Sequence, residues 1–290
     1  MTARRALIVR TVIATLLACA LAGAGVGVLV LKSGWYNIGA TRQHWQPVYS
    51  VLEQGMHESV RHHAREVRVP QALPASEAKA RLLAGAALYR QHCVQCHGAP
   101  GVAQAAIGQS MQPIPGPLVD AAKRWQPNEL YWITRHGIKM SGMPAWGHHL
   151  SEAQLWSLVA FLGHLPQLGA QDYAQLQAQA PQIAQLPQTT AGRAPFDGNS
   201  IARGKVALTQ FACQACHLIP GITGSQVLVG PPLDQLAKRR YLAGRLPNTP
   251  EHLQQWIRDP QSVKVHTAMP NLGVDADDAR DMAAYLLSLD

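Results

Sequence analysis

The chain has 290 residues, 47 % of them hydrophobic and only 14 % charged, with a formal net charge of +8 and five cysteines. The length leaves room for more than one domain, and many Ala, Leu and Gln with few β-branched runs favour helix over strand. No stretch interleaves Lys or Arg with aromatics as a nucleic-acid surface would, so the positive surplus points instead to an acidic partner or an anionic membrane.

Arg4, Arg5 and Arg10 precede Thr11 to Leu31, a stretch without a charged residue that Lys32 closes. About 20 apolar residues span a bilayer as a helix, and positive charge collects on the cytoplasmic side. Residues 1–10 are therefore expected in the cytoplasm, 11–31 as a single-pass anchor in a bacterial inner membrane, and the rest in the periplasm. Trp35 and Tyr36 fall where interfacial aromatics sit. A cleaved signal peptide would use Ala18-Cys19-Ala20 or Ala22-Gly23-Ala24, and Cys19 after Leu16-Leu17-Ala18 half matches a lipoprotein site. The sequence stays apolar well beyond Cys19, which favours an uncleaved anchor.

Residues 32–75 read as a juxtamembrane amphipathic segment, because Val48, Leu52, Met56 and Val60 recur every four residues after Pro47. His44, His57, His62 and His63 lie in or near it. None follows a Cys-x-x-Cys, and a solvated or docking helix face is expected of them.

A first domain is expected over 76–166. Ser76 is a candidate N-cap, and Leu82, Leu83, Ala86 and Tyr89 carry helical spacing into Cys93-Val94-Gln95-Cys96-His97. A long Pro- and Gly-rich stretch follows, then a short helix from Asn128 to His136 ending at Gly137. The last helix opens on a capping box, Ser151 and Gln154, and stops at Pro166. Residues 167–199, rich in Gln, Ala and Pro, read as a linker with a helical portion around Tyr173 to Gln179. A second domain, 200–290, repeats the first: Cys213-Gln214-Ala215-Cys216-His217 stands 120 residues after its counterpart, and the offset stays between 120 and 126 to the last helix, which Asp275 caps.

Two cysteines two residues apart with a histidine directly after them form the attachment signature of a c-type haem. Both thiols add across the vinyl groups of one macrocycle, and the histidine reaches the iron. A structural zinc site would need four ligands, usually from two nearby Cys-x-x-Cys units, and a redox dithiol would follow a strand. The two strings use four of the five cysteines and lie most of a domain apart. Two covalently bound haem c groups are expected, held by Cys93, Cys96, Cys213 and Cys216, with His97 and His217 on the irons.

The sixth ligand decides the chemistry. Met140 and Met143 compete in the first domain, and Met269 stands alone in the second. Met143-Pro144 and Met269-Pro270 are 126 residues apart, which fits the repeat, and a proline there fixes the backbone beside the thioether. Met143 and Met269 are the expected ligands, with His136, His148, His149 and His266 as alternatives. With both irons closed, no catalytic residue is expected. Trp125, Trp132, Trp146, Arg239, Arg240, Tyr241 and Trp256 are candidate propionate or haem-packing residues.

Each domain resembles a class I cytochrome c, and together they look like a membrane-anchored dihaem cytochrome c. The fold implied is all-α, an N-terminal transmembrane helix followed by two tandem class I domains whose first and last helices cross. Gly230-Pro231-Pro232-Leu233 with Thr267-Ala268-Met269-Pro270 resembles cytochrome domains associated with haem–copper terminal oxidases. In that family a proline carbonyl hydrogen-bonds the proximal histidine; Pro231 matches, and Gly116-Pro117-Leu118 is a looser match. The segment Gly137 to Trp146 is similar to cytochrome domains grouped with the haem subunits of such oxidases. The resemblance implies an electron carrier of a respiratory chain, fed by a quinol-oxidising complex or a soluble cytochrome and discharging to a terminal oxidase. A dihaem peroxidase-type enzyme and the cytochrome subunit of a periplasmic dehydrogenase are the competing readings.

Overall fold

The computed structural model describes residues 3–71, 74–181, 199–224 and 229–289, and the chain divides into two units, Met1–Arg193 and Ala194–Asp290. Residues 182–198 of the expected linker and 225–228 of the expected second domain lie outside the described residues.

The helices of the first unit are α1 (Ala3–Ser33), α2 (Gln46–Ala64), α3 (Ala75–His92), α4 (Val94–His97), α5 (Ala106–Gln109), α6 (Ala121–Arg124), α7 (Pro127–His136), α8 (Glu152–His164) and α9 (Ala170–Gln179). The 31 residues of α1 have a best-window mean hydropathy of 2.3 and bury nothing. At 1.5 Å per residue α1 is about 46 Å long, so by length and composition it can cross a membrane. Gly34, at φ +64°, ends it.

The core of this unit is the crossing of α3 and α8. A Cβ added to Gly85 would lie 2.0 Å from the carbonyl oxygen of Ser157, so only glycine lets the two backbones meet there. Leu88, Tyr89, Leu155, Leu158 and Phe161 fill the seam around that point and are fully buried. Each such side chain stabilises the fold by about 1.5–3 kcal/mol. The capping box of α8 forms as expected: the Gln154 N–H donates to Ser151 Oγ and the Ser151 N–H to Gln154 Oε1. Ser76, in contrast, is not the cap of α3. The helix begins at Ala75 with Pro74 in the N-cap position, where its fixed φ and missing N–H cost nothing.

The histidine-bearing helix α2 is not simply a solvated face. Its second half packs on α7: Val60 and Ala64 are buried, Asn128 Nδ2 donates to the Ala64 carbonyl at 2.8 Å, and His63 stacks on Trp132 with ring centroids 5.5 Å apart. His57 meets Trp125 edge-on at 4.9 Å. Val48 and Leu52, the first residues of the same stripe, remain exposed. Beyond Pro166, α9 docks onto α3, with Tyr173 buried, Gln177 Nε2 donating to the Ala86 carbonyl and Arg90 donating to the Gln177 carbonyl. The first part of the stretch read as a linker therefore packs with the first domain.

The second unit holds α10 (Ser200–Gln210), the two-stranded antiparallel hairpin β1 (Tyr241–Leu242) and β2 (Leu246–Pro247), α11 (Pro250–Arg258), α12 (Pro260–Val263) and α13 (Ala276–Leu287). It repeats the glycine crossing: a Cβ on Gly204 of α10 would lie 1.9 Å from the Asp281 carbonyl oxygen of α13. Leu208, Leu253, Ile257, Met282 and Leu286 close the core. Arg203 also joins the two helices through a two-pronged ion pair with Asp281, Nε–Oδ2 at 2.6 Å and Nη2–Oδ1 at 3.2 Å.

Candidate functional site

Each motif forms a single tight turn at the end of a domain's first helix. The N–H groups of Cys96 and His97 both donate to the Cys93 carbonyl, at 3.1 and 2.9 Å, and those of Cys216 and His217 to the Cys213 carbonyl, at 3.2 and 3.0 Å. This turn brings the paired cysteines one turn apart, as addition to two vinyl groups of one ring requires. Burial pushes the Cys93 thiol up to about 12 and the Cys213 thiol to about 11, each helped by its partner cysteine. Among the described residues, no group of three or more His, Cys, Asp and Glu could hold a metal ion.

The two motif histidines are held alike. His97 Nδ1 lies 2.7 Å from the Gly116 carbonyl oxygen and His217 Nδ1 2.7 Å from that of Pro231. A carbonyl only accepts, so Nδ1 carries the proton and Nε2 keeps its lone pair for a metal. In the second unit the acceptor is the proline carbonyl that the resemblance implies. In the first it is Gly116, the residue before Pro117, just as Pro231 precedes Pro232. Burial lowers the pKa of His97, and the Gly116 bond opposes this in part.

Different side chains brace the two acceptor loops. Gln104 Nε2 donates to the Cys96 carbonyl at 2.7 Å and also to the Pro115 carbonyl. Arg239 Nη2 donates to the Pro232 carbonyl and, at 3.3 Å, to that of Asp234. Gly230 lets its loop lie flat against the imidazole, because a Cβ there would sit 2.3 Å from His217 Cε1. Beside the histidines open two clefts, of about 410 Å³ along His97, Val102, Ile114 and Pro115 and about 610 Å³ along His217, Leu218, Ile219 and Ile222. Two thiols one turn apart, an oriented imidazole and an apolar-walled cleft fit a covalently attached haem.

The methionine loops are built on a common plan. Gly137 ends α7 at φ +65°, and a Cβ there would lie 2.4 Å from the Met143 carbonyl oxygen. That carbonyl accepts from the Ile138 N–H at 3.3 Å. Ser141 Oγ accepts from the Met143 N–H at 3.2 Å, and Thr267 Oγ1 accepts from the Met269 N–H at 3.4 Å. Met143 and Met269 are both half-buried, whereas Met140 is 93 % exposed. Of the histidine alternatives, His136 packs against Trp132, His148 against His149, and His266 is exposed. Trp146 packs against His92, and Tyr241 and Arg240 point to solvent.

Sequence reasoning missed Gln104, the loop-bracing role of Arg239, and the hydroxyls of Ser141 and Thr267. The last pair left a legible signal, a hydroxyl residue two before each Met-Pro.

A first helix ending in Cys-x-x-Cys-His, a carbonyl-locked imidazole, a methionine loop and a closing helix crossed on glycine define a cytochrome c domain, and the chain has two. Residues 80–162 match the family described as cytochrome c oxidase, cbb3-type, subunit III, and residues 201–290 match cytochrome c. The chain is mostly helical and carries two cytochrome c domains, one similar to an oxidase subunit family and one to cytochrome c, which imply two covalently bound haem c groups. It is 36 % identical over 88 residues, 30 % of its length, to cytochrome c oxidase subunit 2 of Alkalihalophilus pseudofirmus, covering 25 % of that protein. It is 34 % identical over 109 residues, 36 % of its length, to dihydro-heme d1 dehydrogenase of Pseudomonas aeruginosa, covering 20 % of that protein. The chain thus spans a quarter or less of these relatives. No solved structure matches it.

Proposed function

We propose that the chain is a membrane-tethered two-haem relay on the periplasmic side of a bacterial inner membrane. It takes electrons from a quinol-oxidising complex or a soluble cytochrome and passes them to a terminal oxidase. The observation that carries this reading is the matched pair of iron-binding halves. In both units the histidine Nδ1 is committed to a carbonyl, and a half-buried methionine stands in a hydroxyl-braced Met-Pro loop.

Cys93 and Cys96 would hold one haem and Cys213 and Cys216 the other, each thiol adding its S–H across one vinyl group. Bound haem c supplies a one-electron Fe(III)/Fe(II) couple. His97 and His217 would offer Nε2 to the irons, while Nδ1–H donation to Gly116 and Pro231 fixes the ring orientation and makes Nε2 a stronger donor. Met143 and Met269 would each offer a neutral, soft thioether sulfur to the iron, a donor that favours the reduced state. With these four side chains as ligands, neither iron would be left open to water or peroxide. Arg4, Arg5 and Arg10 hold the N-terminus of an uncleaved α1 in the cytoplasm.

The likeness to an oxidase subunit supports the terminal oxidase as acceptor, with the chain as a non-catalytic carrier or subunit. The likeness to a dehydrogenase favours the second reading, a cytochrome subunit of a periplasmic dehydrogenase. To separate them, anaerobically reduced full-length protein is mixed with a haem–copper oxidase and oxygen, or with hydrogen peroxide. Rapid reoxidation through the oxidase and none through peroxide is expected. Peroxide turnover, or no reaction with the oxidase, would contradict the relay to an oxidase.

A further inference from the structure

The segment between α1 and the first cytochrome domain has an apolar face that this unit does not cover. Behind Gly34, the chain folds Trp35 and Tyr36 back onto Trp45, with ring centroids 6.3 and 6.1 Å apart, and Tyr36 Oη bonds His44 Nδ1. The cluster is open to its surroundings: Trp35 is 73 % and Trp45 63 % exposed. The same exposure continues through Val48, Val51 and Leu52 in the first two turns of α2. Contiguous exposed apolar surface of this kind marks an interaction site.

We propose that this face lies in the bilayer–water interface, so that the aromatic cluster and the start of α2 form a second membrane contact beside the span. Three observations select lipid as the occupant. The patch begins two residues after the last residue of α1, so the bilayer surface is its nearest neighbour in the chain. The first acidic residue of the sequence is Glu53, and the only charges between α1's Lys32 and that point belong to Arg42, which suits an anionic lipid surface. Tryptophan and tyrosine are the side chains enriched at such interfaces. Depths of about 5–10 Å into the headgroup and acyl boundary are typical of such helices.

The functional consequence follows from the other end of α2, where Val60 and Ala64 are buried and Asn128 bonds the Ala64 carbonyl. One helix is thus embedded at its start and bolted to α7 at its end. The first haem domain is held at the membrane surface instead of swinging on a loose tether. The proposal rests on α1 being a membrane anchor, and its test separates the two.

Full-length, haem-loaded protein with Cys19→Ser carries one further cysteine, Val26→Cys, Val51→Cys or Lys123→Cys, labelled with an environment-sensitive fluorophore. Each is reconstituted in phosphatidylethanolamine–phosphatidylglycerol vesicles with and without nitroxide-bearing lipids, and aqueous iodide is the opposing quencher. The expected result is lipid quenching at 26 and 51 several-fold above that at 123, with iodide quenching in the reverse order. Lipid quenching at 26 with position 51 as open to iodide as 123 overturns the proposal and leaves the anchor standing. No lipid quenching at 26 overturns the anchor itself. Shielding of position 51 that appears only at high protein density, or only with an oxidase in the same vesicle, assigns the face to a protein partner and overturns lipid contact.

Discussion

His217 Nδ1 and the Pro231 carbonyl oxygen meet at 2.7 Å across 14 residues of loop, and His97 and Gly116 meet at the same distance across 19. The loops differ in length and in their braces, yet both reach the same nitrogen. The proton on Nδ1 is a feature the two units share, and it leaves Nε2 as the nitrogen that would face a metal.

The second loop depends on Gly230. Replacing it with alanine puts a methyl group 2.3 Å from His217 Cε1, so the imidazole must shift at the expense of its bond to Pro231. The expected cost is about 1–3 kcal/mol, together with a lowered or split midpoint potential for one haem. Denaturant titration and a spectroelectrochemical redox titration check this, and the other haem should keep its potential.

The helix crossings make a sharper pair of variants. Gly85→Ala and Gly204→Ala would each drive a Cβ to about 2 Å from a backbone carbonyl on the facing helix, where the backbone itself must give way. Each should destabilise its own unit by about 3 kcal/mol. Limited proteolysis followed by haem staining of the fragments should show damage in the altered unit only.

The Arg203–Asp281 pair spans the same crossing in the second unit, but Arg203's side chain is 36 % exposed. Solvent therefore screens it, and Asp281→Asn should cost only about 1 kcal/mol. A shift in denaturation midpoint much smaller than that of Gly204→Ala is the check.

His92 supplies a pH dependence. Burial, and next the nearby charge of His149, lower its pKa in the folded protein, and its ring packs against Trp146. The folded state therefore keeps His92 neutral where the unfolded chain takes up a proton. No penalty exists above the unfolded value of about 6.5, and stability is lost as pH falls below it toward the folded pKa. His92→Gln should flatten the fall in denaturation midpoint between about pH 7.5 and 5.5.

Much of the candidate site was legible in the sequence because covalent attachment needs fixed spacing: Cys93, Cys96 and His97 and their counterparts are close in the chain, and so is each Met-Pro pair. The apolar run over 11–31, within the helix Ala3–Ser33, was legible for the same reason, being a stretch without charge. What depended on long loops was not. The partner of His97 is 19 residues away, and nothing local says which carbonyl will reach it. The period of α2 marked an apolar stripe but not that Val60 would be buried against α7 while Val48 stayed exposed. Ser76 had the chemistry of a cap and lost to the proline two residues earlier.

The closure of both irons is tested most directly by carbon monoxide and by the weak methionine–iron charge-transfer band of the oxidised protein. The full-length wild type and Met140→Leu should show the band and leave reduced haem unreactive. Met143→Leu and Met269→Leu should each lose about half the band and bind about one carbon monoxide per chain. Ready carbon monoxide binding by the wild type, or loss of the band in Met140→Leu with Met143→Leu unchanged, would contradict the two-closed-haem relay.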